Sequence, residues 1–443
     1  MPELVVSEPE SRSWTVPSIV VPPPGPRSRA LGGQQAELEL PSFEARRGTR
    51  QELSGEEHSV IVYERGVGSV VECVDGNRYV DMVAGFGALA LGYGFEALTT
   101  ALHRQMMRLP MALGDVFPSE VKVEALRKLV DVFGRPGFRV MVASSGSDAV
   151  GIALKSAELA TGRPGVVAFH ASYHGLAHGP LAVCGLSAKM RDPFTESISR
   201  HVRFAPYPRT ESELDASLSA VQDALKTRSI GAVIVEPLLG RGGGFGPPPG
   251  FLGALRKLCT DYGTLLITDE ILTGGGRTGQ WLAAATVEPD LVCIGKAIGG
   301  GFPVSACLGT ADVMAAWGRH GGSYIHTATH FASPLAAQAV LTTLSTIEDR
   351  GLLGRVRELG RWWKQTLSDA GIDAHVSGLH VGIPLRSAGV ALAVTRKMLS
   401  RGYIVLTGGL TGESLILTPA YTIEKSQLQG FTDALAETLK SIP

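Results

Sequence analysis

The sequence predicts an α/β protein with a large domain, in which helices cover a mainly parallel sheet, and a smaller α+β domain. Two observations lead to this prediction. Between about residues 94 and 321, short continuous apolar runs alternate with helical patterns such as EALRKLVDVF and LGALRKLCTDY, as is typical of parallel sheets. After Ser333, a long helical pattern leads into mixed segments, which indicates the smaller domain. The apolar runs are FRVMVA, GVVAF, GAVIVE, TLLITDE, DLVCIG and VSACLG.

Four segments are predicted along the chain. Residues 1–58 include the run VPSIVVPPPGPRSRALGGQQ and are expected to form an extended Pro-rich N-terminal arm. Residues 59–95 show short alternating strands around a turn at Asp75-Gly76-Asn77, and we assign them to the N-terminal part of the small domain. Residues 96–332 are predicted to form the large domain, and residues 333–443 the C-terminal small domain.

Composition argues against several classes of function. Lys and Arg number 41 against 42 Asp and Glu, so we expect neither a nucleic-acid nor a membrane partner. The 5 cysteines include no CxxC pair, which argues against a disulfide framework and a structural zinc site. The N-terminal residues lack the apolar segment of a secretory signal. The sequence therefore predicts a cytoplasmic protein with buried thiols.

Polar residues suited to catalysis follow four of the apolar runs. The run FRVMVA precedes Ser144-Ser145-Gly146-Ser147-Asp148 and a helical pattern, and GAVIV precedes Glu236. TLLIT precedes Asp269, and LVCIG precedes Lys296. Because parallel strands end at one edge of their sheet, these residues are expected to lie together there.

Each of these signals has a simpler explanation when it is taken alone. The SSGSD turn could serve only as a helix cap, Asp269 could form a surface ion pair, and Lys296 could reach solvent from a sheet edge. Neighbouring features favour a site instead. The apolar strand before Asp269 predicts a partly buried carboxylate with a cationic partner, and Gly299-Gly300-Gly301 is expected to leave space around the lysine amine.

Together, these groups match the needs of pyridoxal phosphate. That cofactor requires an amine for a Schiff base, a carboxylate at its pyridine nitrogen and an anion site for its phosphate. Lys296, Asp269 and the SSGSD turn would supply them in that order. Loss of solvation and nearby cations are expected to lower the pKa of Lys296, so that its neutral amine is available.

Six motifs between about Val60 and Leu439 resemble those of the class III pyridoxal-phosphate aminotransferases, of fold type I. That family includes ornithine, 4-aminobutyrate and ω-amino acid aminotransferases and glutamate-1-semialdehyde aminomutase. The motifs are VDGNRYVDM, SSGSDAVGIALKSAELATGRPGVVAFHASYHG, VIVEPLLGRGGG, LLITDEILTGGGRTGQW, DLVCIGKAIGGGFPVSACLG and THFASPLAAQAVL. The resemblance implies that the large domain binds pyridoxal 5'-phosphate.

The resemblance also implies roles for individual residues. Lys296 would form the Schiff base and move protons, Asp269 would pair with the pyridine nitrogen, and Tyr173 would stack on the ring. Thr329 aligns with a threonine that reaches the phosphate of the partner subunit, which implies a homodimer with shared active sites. The implied cofactor-binding residues are Ser145, Gly146, Ser147, Tyr173, His174, Glu236, Asp269, Ile271, Lys296 and Thr329.

Two departures from the family concern the substrate. Arg241 stands where many members have a glutamate, and Ile416 stands where many have an arginine that pairs with it. One hypothesis is that Arg241 binds a substrate carboxylate directly. The other hypothesis is that Arg241 faces solvent and that the pocket accepts amines that carry no such carboxylate. Phe86 is expected to line the substrate side of the pocket.

The predicted function is transfer of an amino group from an amine or ω-amino acid type donor to a carbonyl acceptor, in ping-pong half reactions through Lys296. An aminomutase, or an amino acid racemase or epimerase, on the same scaffold is the nearest alternative. A binding or regulatory protein without catalysis is the more distant one. Histidines recur at four-residue spacing from His170 and from His326, but without an acidic third ligand, so no metal site is predicted.

Overall fold

The computed structural model describes residues 14–58, 60–114, 116–321, 324–331 and 333–442, which divide into two compact units. The small unit contains Met1–Glu96 and Glu358–Pro443, and the large unit contains Ala97–Arg357. None of the helices in the described residues combines the length and the apolar composition that a membrane span requires. All five cysteines are free and buried, as predicted.

The helices and strands follow one another along the whole described chain. The α-helices are α1 (Pro26–Leu38), α2 (Pro41–Ser54), α3 (Ala84–Gly87), α4 (Glu96–Arg108), α5 (Glu120–Phe133), α6 (Gly146–Thr161), α7 (His178–Val183), α8 (Ala188–Arg191), α9 (Leu214–Lys226), α10 (Phe251–Tyr262), α11 (Ala311–Ala315), α12 (Pro334–Asp349), α13 (Leu352–Asp369), α14 (Ala388–Ser400) and α15 (Lys425–Lys440). The strands are β1 (Tyr63–Val67), β2 (Val70–Cys73), β3 (Arg78–Asp81), β4 (Arg139–Ala143), β5 (Gly165–Phe169), β6 (Val202–Ala205), β7 (Ile230–Val235), β8 (Leu265–Glu270), β9 (Leu291–Ile294), β10 (Ser305–Gly309), β11 (His375–Ser377), β12 (His380–Pro384), β13 (Tyr403–Ile404), β14 (Leu406–Gly408) and β15 (Ser414–Leu417).

The large unit is built around a seven-stranded sheet in the order β4-β10-β9-β8-β7-β5-β6. Strands β5 to β9 pair in parallel, and β10 alone runs antiparallel to its neighbours β9 and β4. The six apolar runs of the sequence all form strands of this sheet. The prediction of a mainly parallel sheet is confirmed.

Both faces of this sheet are buried, because alternate side chains of each strand point to opposite faces. In β7, Val233 and Val235 belong to one core cluster, with residues of α9 and α10 such as Leu255. Ala232 and Ile234 belong to another cluster, with residues of α6. This explains why the sequence of β7 reads as a continuous apolar run.

The small unit contains two four-stranded sheets, in the orders β1-β2-β3-β13 and β11-β12-β15-β14. The predicted turn at residues 75–77 joins β2 to β3, and Gly76 has a φ of +84°. A positive φ favours glycine at this position. Strands β1, β2 and β3 are the alternating strands that the sequence predicts after residue 59.

The prediction of an extended arm over residues 1–58 is wrong for most of its described part. Residues 26–38 and 41–54 form α1 and α2. Pro26 and Pro41 stand at the first positions of these helices, where proline lacks only an N–H that would have no helical partner. The Pro-rich composition predicts an extended arm, whereas two of its prolines mark where helices begin. Residues 1–13 of the predicted arm lie outside the described residues.

The boundary predicted after residue 332 differs from the observed division, in which residues up to Arg357 belong to the large unit. Helix α12 accounts for the difference. Its residues Ala336, Val340 and Leu344 share a core cluster with Leu129 and Phe133 of α5. An apolar helical pattern shows that a face will be buried but not which core will bury it.

Candidate active site

A cavity of about 240 Å³ in the large unit collects most of the residues predicted at the strand ends. It lies where β7, β8 and β9 end at the same edge of the sheet and α6 begins. Ligands of open α/β sheets bind at this edge. The lining residues are Gly146, Ser147, Tyr173, His174, Gly175, Leu176, Glu236, Gly240, Arg241, Asp269, Ile271, Leu272 and Lys296.

The start of α6 has the features of an anion site. Ser145 is the N-cap, and its hydroxyl accepts a hydrogen bond from a backbone N–H of the first turn. The N–H groups of the following residues and the helix dipole attract negative charge. Gly146 keeps this surface close to the sheet, because a Cβ there would lie 2.8 Å from Cγ2 of Ile271. Ser147 Oγ accepts a hydrogen bond from the N–H of Ala177 over 3.1 Å.

Asp269 is buried at the end of β8 and is held by two hydrogen bonds. Its Oδ2 lies 2.7 Å from Nδ1 of His174, and its Oδ1 accepts a bond of 3.1 Å from the N–H of Ile271. The Nε2 atom of His174 is also buried, and no described residue gives it a hydrogen-bond partner. These contacts fix the carboxylate of Asp269 in one orientation. They leave Nε2 of His174 as a buried polar atom without a hydrogen-bond partner among the described residues.

Lys296 follows β9 and lines the same cavity with a half-buried side chain. Loss of solvation lowers the pKa of its amine, and the positive charges of Arg241 and Arg277 act in the same direction. The negative charges of Asp269 and Glu236 oppose this shift without cancelling it. The neutral, nucleophilic form of the amine is therefore favoured relative to a lysine in water.

Gly300, one of the three glycines expected to leave space around the Lys296 amine, serves packing instead. A Cβ on Gly300 would lie 2.6 Å from Cδ2 of Leu98 and 2.7 Å from Oγ1 of Thr343. The φ of Gly300 is +56°, which also favours glycine. This glycine therefore lets the turn after β9 approach α4 and α12.

Glu236 is a buried carboxyl with both oxygens occupied. Its Oε1 accepts a hydrogen bond of 2.6 Å from the N–H of Tyr173, and its Oε2 accepts one of 3.0 Å from the N–H of Gly240. Burial raises the pKa of Glu236 to about 7; the charge of Asp269 adds to the shift, while His174 and the two N–H groups oppose it. The carboxyl thus changes charge close to neutral pH.

Arg241 places its guanidinium over the ring of Tyr173, with Cζ 4.6 Å from the ring centroid. The side chain is exposed and also lines the cavity. Among the residues described, no carboxylate forms a salt bridge with it. Arg241 is therefore held by a cation–π contact, which is weaker than a bidentate ion pair and leaves its N–H groups available.

Three predicted residues do not line this cavity. Ser145 is exposed as the cap of α6, and Thr329 is exposed in the segment 324–331. Phe86 belongs to the small unit, where it is 69% exposed and has a φ of +60°. The structure also adds lining residues that the sequence did not single out. These are Gly175, Gly240 and Leu272, which lie within the quoted motifs, and Leu176, which directly follows one.

The residues present fit pyridoxal phosphate. A lysine amine, a fixed carboxylate and the N-terminus of an α-helix share one cavity, and Gly146 keeps its wall open at the helix end. These are the three groups that the cofactor requires. The buried Nε2 of His174 adds a polar atom that a bound group or a water would satisfy.

Comparison with known proteins gives consistent results. The model of the class III aminotransferases matches residues 53–439. An acetylornithine aminotransferase from Methanosarcina mazei is 33% identical in an alignment of 384 positions that covers 85% of this chain and 91% of that relative. An alanine/serine racemase from Pyrococcus horikoshii is 28% identical in an alignment of 456 positions, gaps included, that covers 96% of this chain and 93% of that relative.

Solved structures agree on the fold. The crystal structure of an omega transaminase from Pseudomonas jessenii in complex with PMP matches with a TM-score of 0.84 at 22% identity, covering 93% of this chain and 98% of that one. A transaminase from the marine bacterium Virgibacillus matches with a TM-score of 0.85 at 20% identity, covering 93% and 99%. The chain therefore belongs to the class III aminotransferase family and is a pyridoxal-phosphate-dependent aminotransferase of fold type I.

Proposed function

We propose that this aminotransferase acts on amine or ω-amino acid type donors and that Lys296 carries the chemistry. Pyridoxal phosphate supplies an aldehyde that reacts with amines and a protonated ring that withdraws electrons from the amine-bearing carbon. The observation that supports the assignment is the shared cavity of Lys296, Asp269 and the start of α6. Nζ of Lys296 would bond the cofactor between turnovers and move a proton at the amine-bearing carbon during them.

The other cavity residues would bind and orient the cofactor. Asp269, fixed by His174, would keep the pyridine nitrogen protonated, and Gly146 and Ser147 would hold the phosphate, with Ser145 ordering their helix. The remaining assignments are also part of the proposal. Tyr173 and Ile271 would cover the two faces of the ring, Glu236 would lie near its phenolic oxygen, and Thr329 would reach the phosphate of a partner subunit.

Arg241 would recognise a carboxylate of the substrate. Its guanidinium lines the cavity, has no salt bridge within the described chain and can leave the ring of Tyr173 at small cost. The relatives named acetylornithine aminotransferases support a substrate of this kind, because acetylornithine carries a carboxylate besides its amine. Phe86 stays a predicted substrate contact.

The second candidate function is racemisation of an amino acid. The Pyrococcus horikoshii relative named alanine/serine racemase aligns with 96% of this chain. A racemase removes and returns the proton at the amine-bearing carbon without releasing a carbonyl product. Lys296 and Asp269 would serve both amino transfer and racemisation, so the fold does not distinguish the two reactions.

We propose that the enzyme is a cytoplasmic homodimer with shared active sites. Several apolar side chains of the large unit are exposed in the single chain, and a self-complementary surface would bury them. The five free, buried cysteines are consistent with a reducing compartment. The exposed apolar residues include Met107, Leu113, Phe117 and Tyr324.

The test is a titration of the protein with a panel of amines, ω-amino acids and amino aldehydes in the presence of pyridoxal phosphate. We expect the cofactor absorption to convert to that of its aminated form, with a carbonyl product that accumulates until an acceptor is added. Absorption that persists while the amine epimerises would favour the racemase. The Lys296→Ala variant is expected to lose covalent retention of the cofactor after borohydride reduction.

The same panel tests Arg241. Arg241→Met is expected to raise KM about tenfold or more for donors that carry a carboxylate besides the amine, and to leave KM unchanged for amines without a carboxylate. Arg209→Met is the matched control, because Arg209 also stacks on a ring, that of Phe245 at 4.3 Å, but does not line the cavity. An unchanged KM for every acidic donor would contradict the proposed role of Arg241.

A further inference from the structure

His326 connects the segment that carries Thr329 to helix α6 of the same chain. The imidazole Nε2 lies 3.0 Å from Oδ1 of Asp148, and Nδ1 lies 3.2 Å from Nζ of Lys155. Lys155 also donates a hydrogen bond of 3.0 Å to the carbonyl oxygen of Ile325. Residues 325 and 326 thus form three polar contacts with one face of α6.

The two polar partners of His326 favour one tautomer of its imidazole. A lysine ammonium can only donate, so Nδ1 accepts and Nε2 carries the hydrogen that Asp148 accepts. Two rings complete the surroundings of the imidazole. The ring of Phe331 stacks on it at 5.5 Å, and the ring of Trp317 meets it edge-on at 6.4 Å. Both polar and aromatic contacts therefore hold the side chain, which is only 15% exposed.

Asp148 connects this segment to the candidate phosphate site. Its Oδ2 accepts a hydrogen bond of 3.1 Å from the N–H of Ser144, and its own N–H donates to the N-cap hydroxyl of Ser145 over 3.2 Å. One carboxylate therefore joins His326 to the turn that begins α6. The adjacent residues Gly146 and Ser147 line the cavity.

We propose that His326 is a positioning residue that holds Thr329 where it binds the phosphate of the cofactor in the partner subunit. This inference rests on the proposed role of Thr329. His326 lies three residues before Thr329, and the stacked Phe331 lies two residues after it, so the contacts bracket the threonine. Through Asp148, the same histidine ties this segment to the phosphate turn of its own subunit.

The experiment measures the affinity of the full-length protein for pyridoxamine phosphate and for pyridoxamine, which lacks the phosphate. His326→Phe keeps an aromatic ring but removes both polar contacts, and we expect it to weaken binding of pyridoxamine phosphate about tenfold. Affinity for pyridoxamine should stay unchanged. His326→Gln, which can still donate to Asp148, should restore most of the loss. His330→Phe is the matched control, because His330 is exposed in the same segment.

A double variant decides whether His326 acts through Thr329. Thr329→Val combined with His326→Phe should bind pyridoxamine phosphate no more weakly than Thr329→Val alone. Equal losses for both ligands, or additive losses in the double variant, would overturn the inference. The inference would also be overturned if His326→Phe bound pyridoxamine phosphate normally while Thr329→Val bound it weakly. Normal binding by Thr329→Val would instead refute the proposed role of Thr329 and the inference together, while leaving amino transfer to be judged from its products.

Discussion

At the residue scale, Lys296 combines two conditions that the rest of the protein must stabilise. Its φ is +44°, in the left-handed region that non-glycine residues rarely adopt, and its amine has lost much of its solvation. Backbone strain of this kind costs of order 1–3 kcal/mol. Such strain is consistent with a lysine whose side-chain orientation matters more than its contribution to the stability of the fold.

Gly146 provides a prediction at the same scale. Gly146→Ala would bring a Cβ within 2.8 Å of Cγ2 of Ile271, which must then move at the cavity wall. We expect affinity for pyridoxamine phosphate to fall about tenfold, or ~1.4 kcal/mol. The control is Gly151→Ala on the same helix, where a Cβ would come no closer than 4.0 Å to Pro180. Equal affinities in the two variants would contradict the prediction.

At the element scale, α1 depends on a residue far away in the sequence. No side chain of its own N-cap, Gly25, can bond the first turn, and Asp75 in the β2–β3 turn does so instead. Its Oδ1 accepts from the N–H of Arg27 over 2.7 Å, and its Oδ2 accepts from the N–H of Ser28 over 3.0 Å. A carboxylate at a helix N-terminus also interacts favourably with the helix dipole.

We expect Asp75→Ala to weaken α1 by about 1–2 kcal/mol, the usual effect of losing a cap. Hydrogen exchange of the α1 amides measures this local opening. Burial raises the pKa of Asp75, but the hydrogen bonds from Ser28 and Arg27 outweigh it and hold the pKa below its usual value. The stabilisation is therefore present above the unfolded pKa of about 3.9 and lost as pH falls through the folded value.

The difference between wild type and Asp75→Ala should accordingly stay constant from pH 6 down to about 3.9 and shrink below that pH. Glu52→Ala is the control, since Glu52 is an exposed carboxylate on the neighbouring helix α2. Two outcomes would show that Asp75 does not cap the helix. One is hydrogen exchange of the α1 amides that responds equally to Asp75→Ala and Glu52→Ala. The other is a difference between wild type and Asp75→Ala that does not depend on pH.

At the scale of the whole molecule, the proposed dimer predicts complementation between defective subunits. A hybrid of Lys296→Ala and Thr329→Val subunits would contain one site with both defects and one with neither, if Thr329 serves the partner. We expect one native site per hybrid dimer, measured as half of the wild-type borohydride-fixed cofactor per chain at a cofactor concentration that saturates native sites but not those of Thr329→Val. Differently tagged subunits, coexpressed and purified through both tags, provide the hybrid. If Thr329 served its own subunit, no native site would form.

Much of the fold and of the candidate site can be inferred from the amino-acid sequence alone. Continuous apolar runs predict buried parallel strands, and the residues after them predict the cavity of Lys296, Asp269 and Glu236, because parallel strands end at one edge. Family motifs add His174 and Ile271, which the structure places in the same cavity. These features are local in the sequence and follow from the periodicity of the chain or from motifs of a few residues.

Features that depend on contacts between distant parts of the chain became visible only in the folded protein. The assignment of α12 to the large unit depends on α5, the capping of α1 depends on Asp75, and the contact of His326 with Asp148 joins residues 178 positions apart. The side-chain pattern of a segment tells which face will be buried, but not which part of the chain will meet it. The pKa shifts of Lys296 and Glu236 arise for the same reason, since burial and neighbouring charges are properties of the folded chain.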